Sequence, residues 1–314
     1  MGCGASFGAK PLVVLDPGTF HTSFRKQGVK AGAWLSDTVY LYVLESGNLG
    51  TYDFPTHQDS KLATTGGEVV CGSPDCSVYA VGAKNEVQIF KVSDHSLVKS
   101  FSAPVDCIAS MAFSPDAKFL AVESGKLKGL CVLFTAEGQE LDKLQGQDGT
   151  PMTPVFYNND TLLLMNKNAV CVYSLKNKAQ VERWPLPEDE IEVTAVCMAG
   201  RKIFVGNMIG KVWHLEITSK LSLMNEYWIH PAMGVQNLQV LADEQTAFFE
   251  KPGGGHFKTY VLAAGEQHIF SRGDGDETDL AMLKSVRFNS SQGLLACLGT
   301  DGLEVFSVSR EIEP

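Results

Sequence analysis

The residues at the start of the chain carry its most specific chemical signal. Met1-Gly2-Cys3-Gly4-Ala5-Ser6 sets glycine second and serine sixth, the pattern in which removal of Met1 frees the Gly2 amine to form an amide with myristate. Cys3 stands beside it as a thiol able to carry a palmitoyl thioester. One myristoyl chain holds a protein to a bilayer only marginally, so the second acyl group is what stable residence requires. No polybasic cluster near the terminus replaces it, Lys10 being the nearest cation. The lipidation residues are thus Gly2, Cys3 and Ser6, and the expected location is the cytoplasmic face of a membrane.

Other constellations fall short of a site. Cys71 and Cys76 are spaced C-x4-C, a poor fit to the short ligand pairs of structural zinc, and no second pair with a nearby histidine completes four ligands. Asp274, Asp276, Glu277 and Asp279 are acidic enough to suggest calcium. They lack the alternating ligand spacing and the closing glutamate of a calcium loop, so they read as a solvated loop. Gly253-Gly254-Gly255 before His256 has no Gly-Lys-Ser/Thr ending to cradle a phosphate, and it reads as a hairpin turn. The seven histidines are dispersed, and no nucleophile elbow, zincin helix or carboxylate pair appears. The expectation is a non-enzyme with no catalytic residue, no metal and no cofactor.

Bulk composition narrows the class further. The 314 residues are 44% hydrophobic and 20% charged, the balance of a folded globular chain with a large core. A net charge of −10 works against binding to nucleic acid, whose phosphates favour clustered Lys and Arg. Six of the eight cysteines (Cys71, Cys107, Cys131, Cys171, Cys197 and Cys297) sit in or beside apolar stretches, where a free thiol behaves as a small hydrophobe. That usage predicts a reducing compartment. No apolar run approaches the ~18 residues that span a bilayer, and the N-terminus lacks a secretory pattern.

The elements that would position any site come from an internal repeat. A short apolar segment ending in a large residue recurs seven times: 50–54, 86–90, 131–134, 170–173, 211–214, 257–260 and 303–306. Their ends lie 36 to 46 residues apart, the period of a four-stranded propeller blade. A second strand precedes them. Ser73-Pro74-Asp75 before Tyr79-Ala80-Val81 and Ser114-Pro115-Asp116 before Phe119-Leu120-Ala121-Val122 share one offset. Proline presets φ and aspartate bonds its own backbone, so one strand must stop there and the next begin. Asn289-Ser290-Ser291 and Tyr157-Asn158-Asn159-Asp160 repeat the arrangement.

These residues resemble the WD40-like β-propellers, from about residue 11 onward. The Trp-Asp dipeptide and the Gly-His pair of that family are absent, Trp213-His214 being the nearest approach. The fold expected is all-β: a single seven-bladed propeller over residues 11–314, behind a flexible acylated tail at 1–10. A pair of sandwiches or a ring of six or eight blades is the competing arrangement. The last blade supplies Val286-Arg287-Phe288, Leu294 to Cys297 and Leu303 to Val308, then only a polar tail. Pro11-Leu12-Val13-Val14-Leu15 is therefore expected to serve as its outer strand and close the ring from the N-terminus, proline being acceptable on an edge. Residues 2–10 would tether the ring over up to ~30 Å.

The aromatic residues expected in interblade loops, Trp184, Tyr227, Trp228 and Phe249, are the candidate partner contacts, because aromatic side chains dominate interface energetics. Trp184-Pro185-Leu186-Pro187 and His230-Pro231 read as rigid connections between blades. The function expected is a monomeric, membrane-tethered scaffold that presents the propeller face and channel mouth to a protein or peptide. Two alternatives stand. Residues 87–101, 112–121 and 286–297 are similar to the propeller of eukaryotic translation initiation factor 2A, which implies a soluble role on ribosomes, although that family has more blades and a basic extension. The other is a propeller enzyme with its site at the channel mouth.

Overall fold

The computed structural model of the protein turns each of the seven recurrent segments into the third strand of a four-stranded antiparallel sheet. It describes residues 20–63, 66–125, 129–145, 153–166, 168–187, 192–228, 235–240, 246–250, 257–261, 266–270, 285–289, 294–299 and 302–308. The Gly2, Cys3 and Ser6 acceptors, the 11–15 segment, His230-Pro231, the 253–255 glycines and the 274–279 acidic stretch lie outside the described residues.

Among the described residues the first element is β1 (Phe20–Gln27), and the blades follow in order, inner strand first. Blade 1 is β2 (Val29–Trp34), β3 (Val39–Leu44), β4 (Leu49–Asp53) and β5 (Gln58–Lys61); blade 2 is β6 (Val69–Gly72), β7 (Val78–Ala83), β8 (Glu86–Lys91) and β9 (Leu97–Ser102). Blade 3 is β10 (Ile108–Phe113), β11 (Phe119–Ser124), β12 (Leu130–Thr135) and β13 (Glu140–Gln145); blade 4 is β14 (Thr153–Asn158), β15 (Thr161–Asn166), β16 (Ala169–Ser174) and β17 (Ala179–Pro185). Blade 5 is β18 (Val193–Ala199), β19 (Lys202–Asn207), β20 (Lys211–Ile217) and β21 (Leu221–Trp228); blade 6 is β22 (Gln236–Val240), β23 (Thr246–Glu250), β24 (Phe257–Val261) and β25 (Glu266–Phe270). Blade 7 is β26 (Ser285–Asn289), β27 (Leu294–Gly299) and β28 (Gly302–Val308), with β1 as its fourth strand. The ring is seven-bladed.

The Ser-Pro-Asp turns work through their serines. Ser114 is fully buried; its Oγ donates to Asp116 Oδ1 at 2.8 Å and accepts the Phe119 amide at 3.0 Å, which ties β10 to β11. Ser73 does the same in blade 2, with Asp75 Oδ1 at 2.6 Å and the Val78 amide at 3.1 Å. The next residue but two, Cys76 or Ala117, takes a left-handed φ of 59° or 56° to complete the reversal. Burial opposes ionisation of Asp116, but hydrogen bonds from Ser114 and Lys118 outweigh it and hold the carboxyl below its ordinary range. Ser114→Ala is expected to cost about 1–3 kcal/mol in urea unfolding at pH 7, since the Phe119 amide loses its acceptor. An aspartate with a lowered folded pKa stabilises above the unfolded value near 4 and loses that contribution as pH falls. The gap between wild type and variant should therefore shrink below about pH 4, and a gap that widens there would refute the turn mechanism.

Alternation along each strand divides its side chains between two neighbours. In blade 3, Leu120, Val122, Val132 and Phe134 pack against blade 2, whereas Ala121, Cys131 and Leu133 pack against blade 4. Both faces are covered, so the strands read as unbroken apolar runs. Cys131, Cys171, Cys197 and Cys297 are buried, and Cys71 and Cys107 partly so. Burial pushes the Cys71 thiol up to about 12, which leaves it a packing residue.

The closing strand differs from the expected one. β1, not residues 11–15, pairs with β28, from Phe20 opposite Val308 to Gln27 opposite Gly302. Since β28 has β27 on its other side, no edge remains there for a further strand. N-terminal closure holds; the segment was misplaced, because apolar β-branched character marks inner strands and this outer strand is half polar. Phe24 stacks on Tyr52 of blade 1 with centroids 3.8 Å apart. Arg25 Nε meets Glu304 Oε1 at 2.6 Å, and Lys26 Nζ meets Asp59 Oδ2 at 2.5 Å, while the Tyr42 hydroxyl donates to the same carboxylate. Gly302 has φ 133°, and a Cβ there would lie 2.2 Å from the Lys26 carbonyl, so the seam admits only glycine.

Candidate protein-interaction site

Three of the four aromatic residues expected in loops lie on the outer strands of adjacent blades, Trp184 on β17 and Tyr227 and Trp228 on β21. Phe249 also lies on a strand, β23, opposite Lys258; its side-chain surroundings fall outside the described residues. Trp184-Pro185 ends β17 in register with Val170 and Ala169, so it is a strand end and not a linker.

Pairing register shows which way these side chains point. Val170 and Val172 face blade 5, and their partners Trp184 and Glu182 share that side of the sheet. Trp213 on β20 is opposite Glu226 and Lys211 is opposite Trp228, so β21 turns Glu226 and Trp228 toward blade 4. The two outer strands thus form the sides of a groove. Glu182 Oε2 accepts the Leu221 amide at 2.7 Å and ties them together.

At the floor, Trp213 is fully buried and meets Trp184 edge-on with centroids 6.0 Å apart. Its indole Nε1 donates to Glu226 Oε2 at 3.0 Å. The other carboxylate oxygen is 3.3 Å from Lys211 Nζ, which in turn lies 4.4 Å from the Trp228 ring centroid. The buried lysine is therefore held by a carboxylate and a π-face at once. Tyr227 turns the other way and packs against the blade 5 to blade 6 core.

This internal bracing leaves the outside apolar. Val181, Leu223, Met224 and Trp228 are 52%, 42%, 48% and 50% exposed. They account for four of the seven large apolar side chains exposed among the described residues, so the rim at blades 4 and 5 is the main apolar concentration there. Lys211, Glu226, Leu223, Met224 and Val181 were missed in the sequence. The eight-residue run Leu-Ser-Leu-Met-Asn-Glu-Tyr-Trp, with no lysine, arginine or proline, was the signal that could have found Leu223, Met224 and Glu226.

No family model matches the chain, and no curated protein matches it significantly. Among solved structures, the β-propeller domain of Cps50 (Swd1) from Myceliophteria thermophila is similar over 92% of this chain and 100% of that domain, with a TM-score of 0.75 and 10% sequence identity. The fold is that of a seven-bladed β-propeller. Since 1743 solved chains match this one, the likeness fixes architecture and leaves function to the site.

Proposed function

We propose that this chain is a non-enzymatic scaffold that holds a partner protein against its propeller and is tethered to the cytoplasmic face of a membrane by acyl groups on Gly2 and Cys3. The observation that carries the scaffold reading is the apolar rim at blades 4 and 5. Side chains held at half exposure over a braced aromatic floor suit a surface that another protein covers. The tether reading rests on the Gly2, Cys3 and Ser6 pattern. From Gly2 to Phe20 the chain can span at most ~60 Å, so the ring would stay close to the lipid.

Gly2→Ala is expected to release the protein to the cytosol, because no acyl chain is then added. Cys3→Ser keeps myristate alone, whose association constant is about 10⁴ M⁻¹, and should give a mixed distribution. Fractionation and intact mass of the chain from eukaryotic cells check both. An unmodified Gly2, or a Gly2→Ala variant still wholly on membranes, removes the tether; cosedimentation with ribosomes instead supports the alternative similar to initiation factor 2A. The scaffold reading has a separate test: after cross-linking in the same cells, the wild-type chain should be recovered with a partner, and recovery alone refutes it.

A further inference from the structure

We infer that Lys176, Lys178, Arg201 and Lys220, gathered at one end of blades 4 and 5, bind anionic lipid headgroups and form a second membrane anchor beside the acyl chain on Gly2. This rests on the tether reading and specifies which end of the ring lies on the lipid.

Strand order sorts the turns between two ends. Within a blade the chain runs out along the first strand, back along the second and out again along the third, so the turns after the first and third strands share one end. Each fourth strand finishes at the opposite end, where the next blade starts. β1 is such a fourth strand: Gln27 leads through Gly28 into β2, and Phe20, at its other end, lies opposite Val308. The chain that carries Gly2 therefore enters the ring at the end that holds those turns.

On blades 4 and 5 these turns are basic. Lys176 and Lys178 lie between β16 and β17, Arg201 between β18 and β19, and Lys220 between β20 and β21. All four are exposed, and none makes an ion pair among the described residues. Asp160, between β14 and β15, is the one exposed acid in the same turns. Blades 1 to 3 present the reverse. Asp37, Asp75, Asp94 and Glu137 are exposed in the corresponding turns, while Lys118 is paired with Asp116. An anionic surface attracts one sector and repels the other, which sets the tilt of the ring.

No run of the sequence shows this patch, since Lys176 and Lys220 are 44 residues apart in the chain and only the fold brings their turns to one end. A single myristoyl chain holds marginally, and an acyl chain with a basic patch is one of the combinations that gives stable residence. At an anionic leaflet each cation strengthens binding about fivefold. Nucleic acid is the poorer occupant: on a chain of net charge −10, four cations would have to hold phosphates unaided, whereas at a bilayer the acyl chain has already delivered them.

The test uses the full chain, co-expressed with an N-myristoyltransferase and checked by intact mass, on vesicles of phosphatidylcholine with or without phosphatidylserine. The wild-type chain should bind the phosphatidylserine vesicles at least tenfold more tightly at about 0.1 M salt. That preference should collapse at about 1 M, where the screening length falls from ~10 Å to ~3 Å. K176Q/K178Q/R201Q/K220Q should bind both vesicles alike with an unchanged melting curve. K61Q/K84Q/K91Q/K99Q, which removes four exposed cations elsewhere, should keep the preference. Equal binding of the myristoylated wild type to both vesicles, a preference that survives in the turn variant, or an equal loss in the control variant each overturns the proposal. So does a turn variant that loses binding to polyuridylate while lipid preference was never present, which would make the patch a nucleic-acid site. A chain recovered without myristate fails the tether reading, and the proposal with it.

Discussion

A chain that begins at Phe20 should melt like the full-length protein, and one that begins at Gly28 should lose its cooperative transition or aggregate. The second truncation removes β1 and with it seven register positions against β28. Backbone hydrogen bonds contribute about 0.5–1.5 kcal/mol each, and packing Phe24 against Tyr52 adds about 1.5–3 kcal/mol. Several kcal/mol is a large share of a stability that is typically about 5–15 kcal/mol. Loss of Arg25 also strips Glu304 of its guanidinium partner at a site that is mostly covered. What remains is β28 as a bare, apolar edge, a pairing template for other chains. Thermal melts of the two truncations decide the matter, and identical midpoints would mean that closure contributes nothing.

Trp213→Ala should cost about 3–5 kcal/mol, the range for removing a fully buried tryptophan. The indole fills the blade 4 to blade 5 core with Met165, Val172, Ile203 and Leu221, and its ring meets Trp184. Removing it also takes the Nε1 donor from Glu226. Trp213→Phe separates the two contributions: it keeps an aromatic ring in the core and should lose only about 1–3 kcal/mol, for the smaller ring and the lost hydrogen bond to Glu226. Urea midpoints measure both, and a near-native Trp213→Ala would take this residue out of the core. The alanine variant should also weaken partner capture at the rim, because Glu226 positions Lys211 beneath Trp228.

The third strand of every blade was legible in the sequence, and so were the Ser-Pro-Asp reversals. Those strands pack on both faces, as Cys131-Val132-Leu133-Phe134 does, so burial writes a continuous apolar run that recurs with each blade. Outer strands write no such signal. Phe-His-Thr-Ser-Phe-Arg-Lys-Gln exposes Arg25 and Gln27 and has a bulge between Thr22 and Phe24 that breaks its alternation, so the apolar 11–15 run looked the better strand. The same weakness put Trp184 and Trp228 in loops. Their aromatic type alone made them contact candidates, and Glu182, Lys211 and Glu226, which brace them, come from strands whose pairing register no local pattern reveals. The Gly2 and Cys3 pattern owes nothing to folding and lies outside the described residues.

Closure of blade 7 by β1 imposes a timetable on synthesis. Gln27 and Gly302 are 275 residues apart in the chain; at about 5–20 residues per second, β1 waits roughly 14–55 s for its partner to leave the ribosome. Blades 2 to 6 can each cover one face of the blade before them as they appear. The opposite face of blade 1, with Tyr40, Tyr42, Tyr52 and Phe54, has only Phe24 of the still unpaired β1 to meet until Leu294, Ala296 and Val305 arrive. That aromatic face is the longest-lived bare surface of the nascent protein, and the place where a holdase chaperone would find it.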